Sequence, residues 1–402
     1  MKTKVLLLLL AVSLLALAAW VVHVQNPAQA DEIPEKYRAT VHKGLEYLLK
    51  NQSKDGHWEG DGGKHPVAMT GLAGLALIME KDTSRSQGIG VTVPKLKYLD
   101  KTRKAADWLT DKSQGRDGLI FSEHPSETAR YMEGHGLATL FLAGAYQCET
   151  DEARRKKLME VLNRAVKYIV KAQSSQGGWY HTSKVEGHDF DTISTTVMQI
   201  QALQAAENAG VPVPGAALSD AQHYVRQFLK VALEKNKEQA KPGQSHTPLA
   251  EIAGALACRG VHLPVRTNRE GEVSTKALQE AVPDLPVGRD VKFGRDELTH
   301  YYYAQALFNV GGGVWTTYRT AMFDHLQISQ NKDGSWPAGD RISVGPVYAT
   351  ALWCTVLQLD KRSHPVAPPQ IQVITVTRNL GPQPAPRFAT RTVGEMEARA
   401  RS

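Results

Sequence analysis

Apolar and polar positions along this chain follow two patterns, and both have the period of a helix. In Val41-His42-Lys43-Gly44-Leu45-Glu46-Tyr47-Leu48-Leu49 and Ala165-Val166-Lys167-Tyr168-Ile169-Val170, apolar side chains recur every three or four residues and charges fill the gaps. That spacing predicts helices with a single buried stripe. The second pattern is apolar or small at nearly every position. It occurs in Thr70-Gly71-Leu72-Ala73-Gly74-Leu75-Ala76-Leu77, Gly136-Leu137-Ala138-Thr139-Leu140, Met198-Gln199-Ile200-Gln201-Ala202-Leu203, Ala250-Glu251-Ile252-Ala253-Gly254-Ala255-Leu256 and Tyr348-Ala349-Thr350-Ala351-Leu352. A helix that is apolar on several faces is surrounded by other elements. A glycine inside a helix costs about 1 kcal/mol relative to alanine, so its repeated use here predicts close helix approach.

The two kinds alternate as hairpins, with polar-faced helices starting near Glu35, Lys101, Glu152, Ser219, Thr275 and Val314. The fifth is the weakest, because Val261 to Glu297 offers only a short helical segment around Lys276 to Glu280. Lys81 to Leu96, with Gly88, Gly90 and Pro94, reads as an insertion loop.

A short peptide marks the joins. Gln52-Ser53-Lys54-Asp55-Gly56-His57-Trp58 and Gln330-Asn331-Lys332-Asp333-Gly334-Ser335-Trp336 share Q-x-x-D-G-x-W. Gln173-Ser174-Ser175-Gln176-Gly177-Gly178-Trp179 keeps the Gln, Gly and Trp, and a worn copy at Gln114 to Ile120 has Ile in place of Trp. The first three copies in chain order are about sixty residues apart, and the gap before Gln330 has room for three more units. Six hairpins result. The Gly supplies the left-handed backbone that stops a helix, Asp bonds turn amides, Trp buries a large face and Gln reaches the neighbouring unit. Gln52, Trp58, Gln173, Trp179, Gln330 and Trp336 are therefore read as structural.

This motif resembles the QW repeat of squalene and oxidosqualene cyclases, found more loosely in protein prenyltransferase β subunits. Gly44 to Trp58 carry the resemblance best, with Leu48, Leu49, Gln52, Gly56 and Trp58 in the family's places, and it extends over roughly residues 35 to 360. The run from Tyr301 through Trp336 to Leu352 resembles a secreted bacterial branch of the family without established activity. The resemblance implies an all-α fold, an (α/α)6 toroid of six helical hairpins around a central cavity. It does not hand over a function.

The termini stand apart from the repeats. Residues 1–30 carry Lys2 and Lys4, an apolar run from Val5 to Val22, and Ala28-Gln29-Ala30 before Asp31. This reads as a cleaved signal peptide. The run of about eighteen residues exceeds the usual signal core of about 7–15 and keeps an uncleaved anchor as the alternative. In both readings the body, residues 31–360, lies outside the cytosol, periplasmic or extracellular. The Pro-rich tail, residues 361–402, holds seven Lys/Arg against Glu395 and Glu397 and is expected to be disordered, with at most a strand from Ile371 to Thr377. The formal charge of +7 belongs to these two ends, so the body is neutral and has no nucleic-acid footprint. Cys148, Cys258 and Cys354 are odd in number and lack paired spacing, which favours buried thiols.

Candidate chemistry is sparse. His188-Asp189-Phe190-Asp191-Thr192 resembles the D-x-D-D-T acid of the cyclases, which would make Asp189 and Asp191 proton donors. Thr192 stands where a third Asp is wanted. Matching Ala202-Leu203 to the family's helix also places Thr192, Ser194 and Thr195 at the acid positions, so helix capping is the competing role for both Asp. Glu127, Tyr131 and His135 share a helix face at four-residue spacing and form a second candidate stripe. His135 also reads as a core histidine. His300 precedes Tyr301, Tyr302 and Tyr303; Tyr301, Tyr303 and Tyr348 are cavity candidates, with packing as their competing role. No Cys joins His300 in a zinc set, and no metal or cofactor is expected. The function expected is binding of a small molecule, terpenoid or protein partner in the cavity or on the rim. The alternatives are a terpene-cyclase-like or glycan-processing enzyme using these acids, or an interaction scaffold with a filled centre. Membrane contact is expected only through an uncleaved N-terminal segment.

Overall fold

The computed structural model describes residues 33–82, 95–112, 117–238, 249–258, 261, 297–338 and 344–367. The N-terminal segment, the Lys276 to Glu280 helix and the strand at Ile371 lie outside them. The described chain is all-α apart from one pair of two-residue strands, β1 (Lys81–Asp82) and β2 (Lys95–Leu96), at the two ends of the insertion.

Five polar-faced helices form an outer layer: α1 (Glu35–Lys50), α3 (Leu99–Lys112), α6 (Glu152–Ala172), α8 (Gly215–Glu238) and α11 (Gly312–Ser329). In α1 the buried positions are Tyr37, Thr40, Val41, Gly44, Leu45 and Leu48, a single stripe. Six helices form an inner layer: α2 (Pro66–Ile78), α5 (Tyr131–Cys148), α7 (Ile193–Asn208), α9 (Leu249–Ala257), α10 (Glu297–Val310) and α12 (Pro346–Leu357). All of α2 and of Val347 to Leu357 in α12 is buried. A four-residue helix, α4 (Pro125–Thr128), precedes α5.

The inner helices pack in sequence order, α2 on α5, α5 on α7, α7 on α9, α9 on α10, α10 on α12, and α12 returns to α2. The ring is therefore closed. Each outer helix lies against two inner neighbours or against the next hairpin. Glycines permit the close approach: a Cβ on Gly71 would lie 2.7 Å from the Leu137 carbonyl carbon, and one on Gly136 2.7 Å from Gln199 Nε2.

The repeat peptides staple the ring. Gln52, Gln173 and Gln330 each donate an amide N–H to the turn glycine carbonyl at 2.8, 2.8 and 2.9 Å. Each also donates to a carbonyl of a neighbouring outer helix, Lys101 O in α3, Ala217 O in α8 and Thr40 O in α1, all at 2.9 Å. The last of these bonds joins the final hairpin to the first. Trp58, Trp179 and Trp336 donate their indole N–H to Leu48 O, Ile169 O and Leu326 O, carbonyls in the last turns of their helices. Their backbone N–H groups go to Thr70, Thr196 and Thr350 hydroxyls on the inner helices at 3.0, 2.9 and 3.2 Å. The turn glycines Gly56, Gly118, Gly177 and Gly334 have φ between +91° and +107°, and a Cβ on any of them would strike a backbone carbonyl of an outer helix.

The worn copy accounts for His135. Ile120 N–H donates to His135 Nδ1 at 3.1 Å, the bond made to Thr in the other copies. His135 Nε2 then donates to Ala165 O on α6 at 3.3 Å. Burial pushes its pKa down to about 4, so a neutral imidazole takes the place of a hydroxyl. The stripe of Glu127, Tyr131 and His135 does not exist. Glu127 belongs to α4, the chain breaks helix at Ala129 and Arg130 (φ −143°), and His135 faces the outer layer.

The chain stays packed past residue 360. After α12 a turn of 3-10 helix (Leu359–Lys361) and Arg362, at φ +50°, lead into buried Ser363 and His364. The sequence assigned this stretch to the tail because prolines forbid a helix. The structure uses Pro365 in a packed turn instead.

Candidate functional site

The ring has two unlike ends. At one end inner helices begin, and their starts are linked in order. Asp61 N–H, before α2, donates to Val344 O before α12 at 2.8 Å. Val67 and Ala68 N–H, opening α2, donate to Glu127 Oε1 at 3.0 and 3.1 Å. Met132 N–H, in α5, donates to His181 O before α7 at 3.1 Å.

Partly exposed polar side chains converge at this mouth. Glu133, in the first turn of α5, receives Arg130 Nη2 at 2.5 Å and Nε at 3.1 Å, and lies 3.0 Å from His181 Nδ1. Burial works against ionisation of Glu133, but the bonds from His181 and Arg130 outweigh it and hold its carboxyl below the ordinary range. His65, in left-handed conformation at φ +53°, donates its N–H to Ser126 Oγ at 2.8 Å, and that hydroxyl lies 2.7 Å from His124 Nδ1. Burial lowers the pKa of His65. Tyr180 packs against His181 with ring centroids 4.6 Å apart and meets Phe190 edge-on at 5.6 Å; Phe190 itself is 62% exposed.

Glu127 lies just beneath the mouth. One carboxylate oxygen caps α2, and the other is buried with no hydrogen-bond partner among the described residues. Burial raises its pKa to about 7 against the pull of the two amides. A carboxyl in this position carries its proton at mildly acidic pH and loses it near neutrality.

The other predicted residues are dispersed. Tyr131 accepts Ser183 N–H at 2.7 Å, which pins the loop before α7, and burial raises its pKa. Asp189 accepts Ser175 N–H at 2.7 Å and sits 3.7 Å from Lys184 Nζ. Asp191 accepts the Ser174 hydroxyl at 3.0 Å. Neither Asp caps α7: its N-cap is Thr192, whose hydroxyl goes to Thr195 Oγ1 rather than to a helix amide, and both carboxylates tie the loop to the third repeat turn instead. His300 Nδ1 lies 2.9 Å from Tyr318 Oη in the wall between α10 and α11, and Cys148, Cys258 and Cys354 are buried free thiols. Tyr303 meets Tyr318 edge-on and its buried hydroxyl has no partner among the described residues, while Tyr348 is buried in α12. Tyr301 stacks edge-on with Tyr302 inside the ring.

Sequence reasoning missed Arg130, Glu133, His181, His65 and His124. A signal existed for Glu133, a lone acid in the first turn of an otherwise apolar helix, three residues after an Arg.

No family model and no curated protein matches the chain. Among solved structures that resemble it weakly are two. One is described as a protein from Actinoplanes, with TM-score 0.41, 16% identity, and 82% of this chain and 99% of that chain covered. The other is the type II terpene cyclase MstE from Scytonema in its apo form, with TM-score 0.33, 13% identity, and 82% and 100% covered. Similarity at this level carries no functional argument, and the fold rests on the closed ring itself.

Proposed function

We propose that this chain is an exported repeat protein of the QW type that binds a partner on the rim where its inner helices begin. It is not a cyclase working in a lumen. The observation that carries this reading is the Arg130–Glu133–His181 cluster beside the exposed Phe190, polar groups fixed by hydrogen bonds yet open to solvent. Fixed polar groups around an exposed aromatic suit a polar partner. The ring interior works against a terpenoid substrate. Ligand pockets of that class hold several hundred Å³, whereas among the described residues Gln201 Nε2 reaches Gln305 Oε1 at 2.9 Å from α7 to α10, past the intervening α9. Lys2, Lys4 and the apolar run to Val22 support export.

Native mass spectrometry of the chain isolated from its host tests the reading. A bound polar ligand or protein is expected. Phe190→Asp with Arg130→Glu should remove it at unchanged melting temperature. Cyclic products from squalene or shorter polyprenyl substrates, or a co-purifying terpenoid, would overturn it.

A further inference from the structure

At the opposite end of the ring, inner helices finish, and the chain itself lies across them. Gln358 Nε2, after α12, donates to Ala76 O in the last turn of α2 at 3.0 Å, and a Cβ on Gly144 near the end of α5 would strike Ile78 Cδ1 of α2. Residues 363–367 enter this end, and 364–367 form a four-residue turn. Ala367 N–H donates to His364 O at 2.9 Å, with Pro365 second in the turn, the position its fixed φ favours.

Three ring helices read this turn. Asn208, the last residue of α7, donates its side-chain amide to Pro365 O at 2.8 Å and to Ala367 O at 3.0 Å. Those are main-chain carbonyls two residues apart, so a single amide fixes the backbone of the turn whatever its side chains. Gly144 on α5 makes room for the Pro365 ring, since a Cβ there would lie 2.6 Å from Pro365 Cγ. Tyr301 on α10 brings its hydroxyl to 3.5 Å from His364 Nε2, and His364 is 7% exposed. The notch thus supplies a backbone clamp, a shape that fits proline and a partner for an imidazole. Each of these acts on a feature of a peptide rather than on a hydrophobic surface in general.

We propose that the helix-finishing end of the ring is a peptide-binding site for a proline-led turn of the His-Pro-x-Ala kind, filled here in cis by residues 363–367. The site lies at the end remote from the rim of the preceding section and does not depend on that reading. A cis occupant on a short tether stands at an effective concentration of about millimolar. A free peptide of the same sequence therefore competes poorly until the cis contacts are weakened.

The test uses the full chain and a fluorescent, end-capped peptide Ser-His-Pro-Val-Ala, with binding read by polarisation. The wild type is expected to bind weakly. Pro365→Asp, which sets a charge against Gly144 and Ile78, is expected to raise affinity at least tenfold. Adding Asn208→Ala to that variant should return it to the wild-type level. His364→Ala, which removes the Tyr301 contact and the bond from Val366 N–H to its Nδ1, is run beside it, should move affinity in the same direction, and carries the test if Pro365→Asp does not fold. A folded variant of either kind with no gain in affinity overturns the proposal. So does a gain that survives Asn208→Ala.

Discussion

The two ends of the ring solve the same problem in opposite ways. Every helix leaves unpaired amides at its start and unpaired carbonyls at its finish. At the starting end these amides are met by residues of neighbouring loops, Glu127 Oε1 and His181 O, and ionised or ionisable side chains remain partly exposed. At the finishing end the chain supplies the cover, with Gln358 and Asn208 as amide donors and His364 buried beneath. One end therefore leaves polar groups open to solvent, and the other has already used its own. Polarity alone does not make a site, because both ends are polar. What separates them is whether the chain returns to occupy its own polar groups.

The largest expected effect would erase the comparison. Trp58→Ala, Trp179→Ala or Trp336→Ala removes a buried ring and the bond to a helix-end carbonyl, and should cost about 3–5 kcal/mol. Thermal unfolding should show both ends lost together. Selective loss of one end at normal stability would contradict the stapling role.

Next comes pH, which should separate the ends. Glu127 has a folded pKa raised to about 7, so its contribution is present below the ordinary carboxylate value and is lost as pH rises towards 7. The loss is about 3 kcal/mol. Glu127→Gln keeps an oxygen for the α2 amides and should flatten that slope in denaturant titrations between pH 4 and 8. His364 shifts the other way. Burial pushes its pKa down to about 3, so its contribution is present above pH 6.5 and lost as pH falls. Hydrogen exchange should show amides around 363–367 opening on acidification while the α2 amides that Glu127 caps become better protected over the same range. A common pH response at both ends would break the contrast.

Smaller again is Asp191→Asn, which weakens one bond to the third repeat turn and should cost under about 1 kcal/mol. The smallest effect on stability is expected for Arg130→Ala, whose side chain is 50% exposed, within about 0.5 kcal/mol. Under the rim reading that variant should alter partner capture, measured by pull-down at matched melting temperature.

The sequence by itself determined the all-α class, the alternation of outer and inner helices and the helix-ending turns. These depend on local periodicity and on residues such as Gly56 and Gly177, whose left-handed φ is a local demand. It also carried the choice between a catalytic and a core His135, but not the answer, because the bond from Ile120 joins residues whose nearness comes from the turn between them. Only the tertiary structure decided the rest. Asp189 and Asp191 bind a turn instead of capping α7. Glu133 meets His181 from 48 residues away in sequence. Residues 363–367 meet Asn208 about 155 residues away. The physical reason is that a hydrogen bond made across a closed ring depends on which helices become neighbours. That neighbourhood is set by burial of every inner helix at once, and no window along the chain contains it.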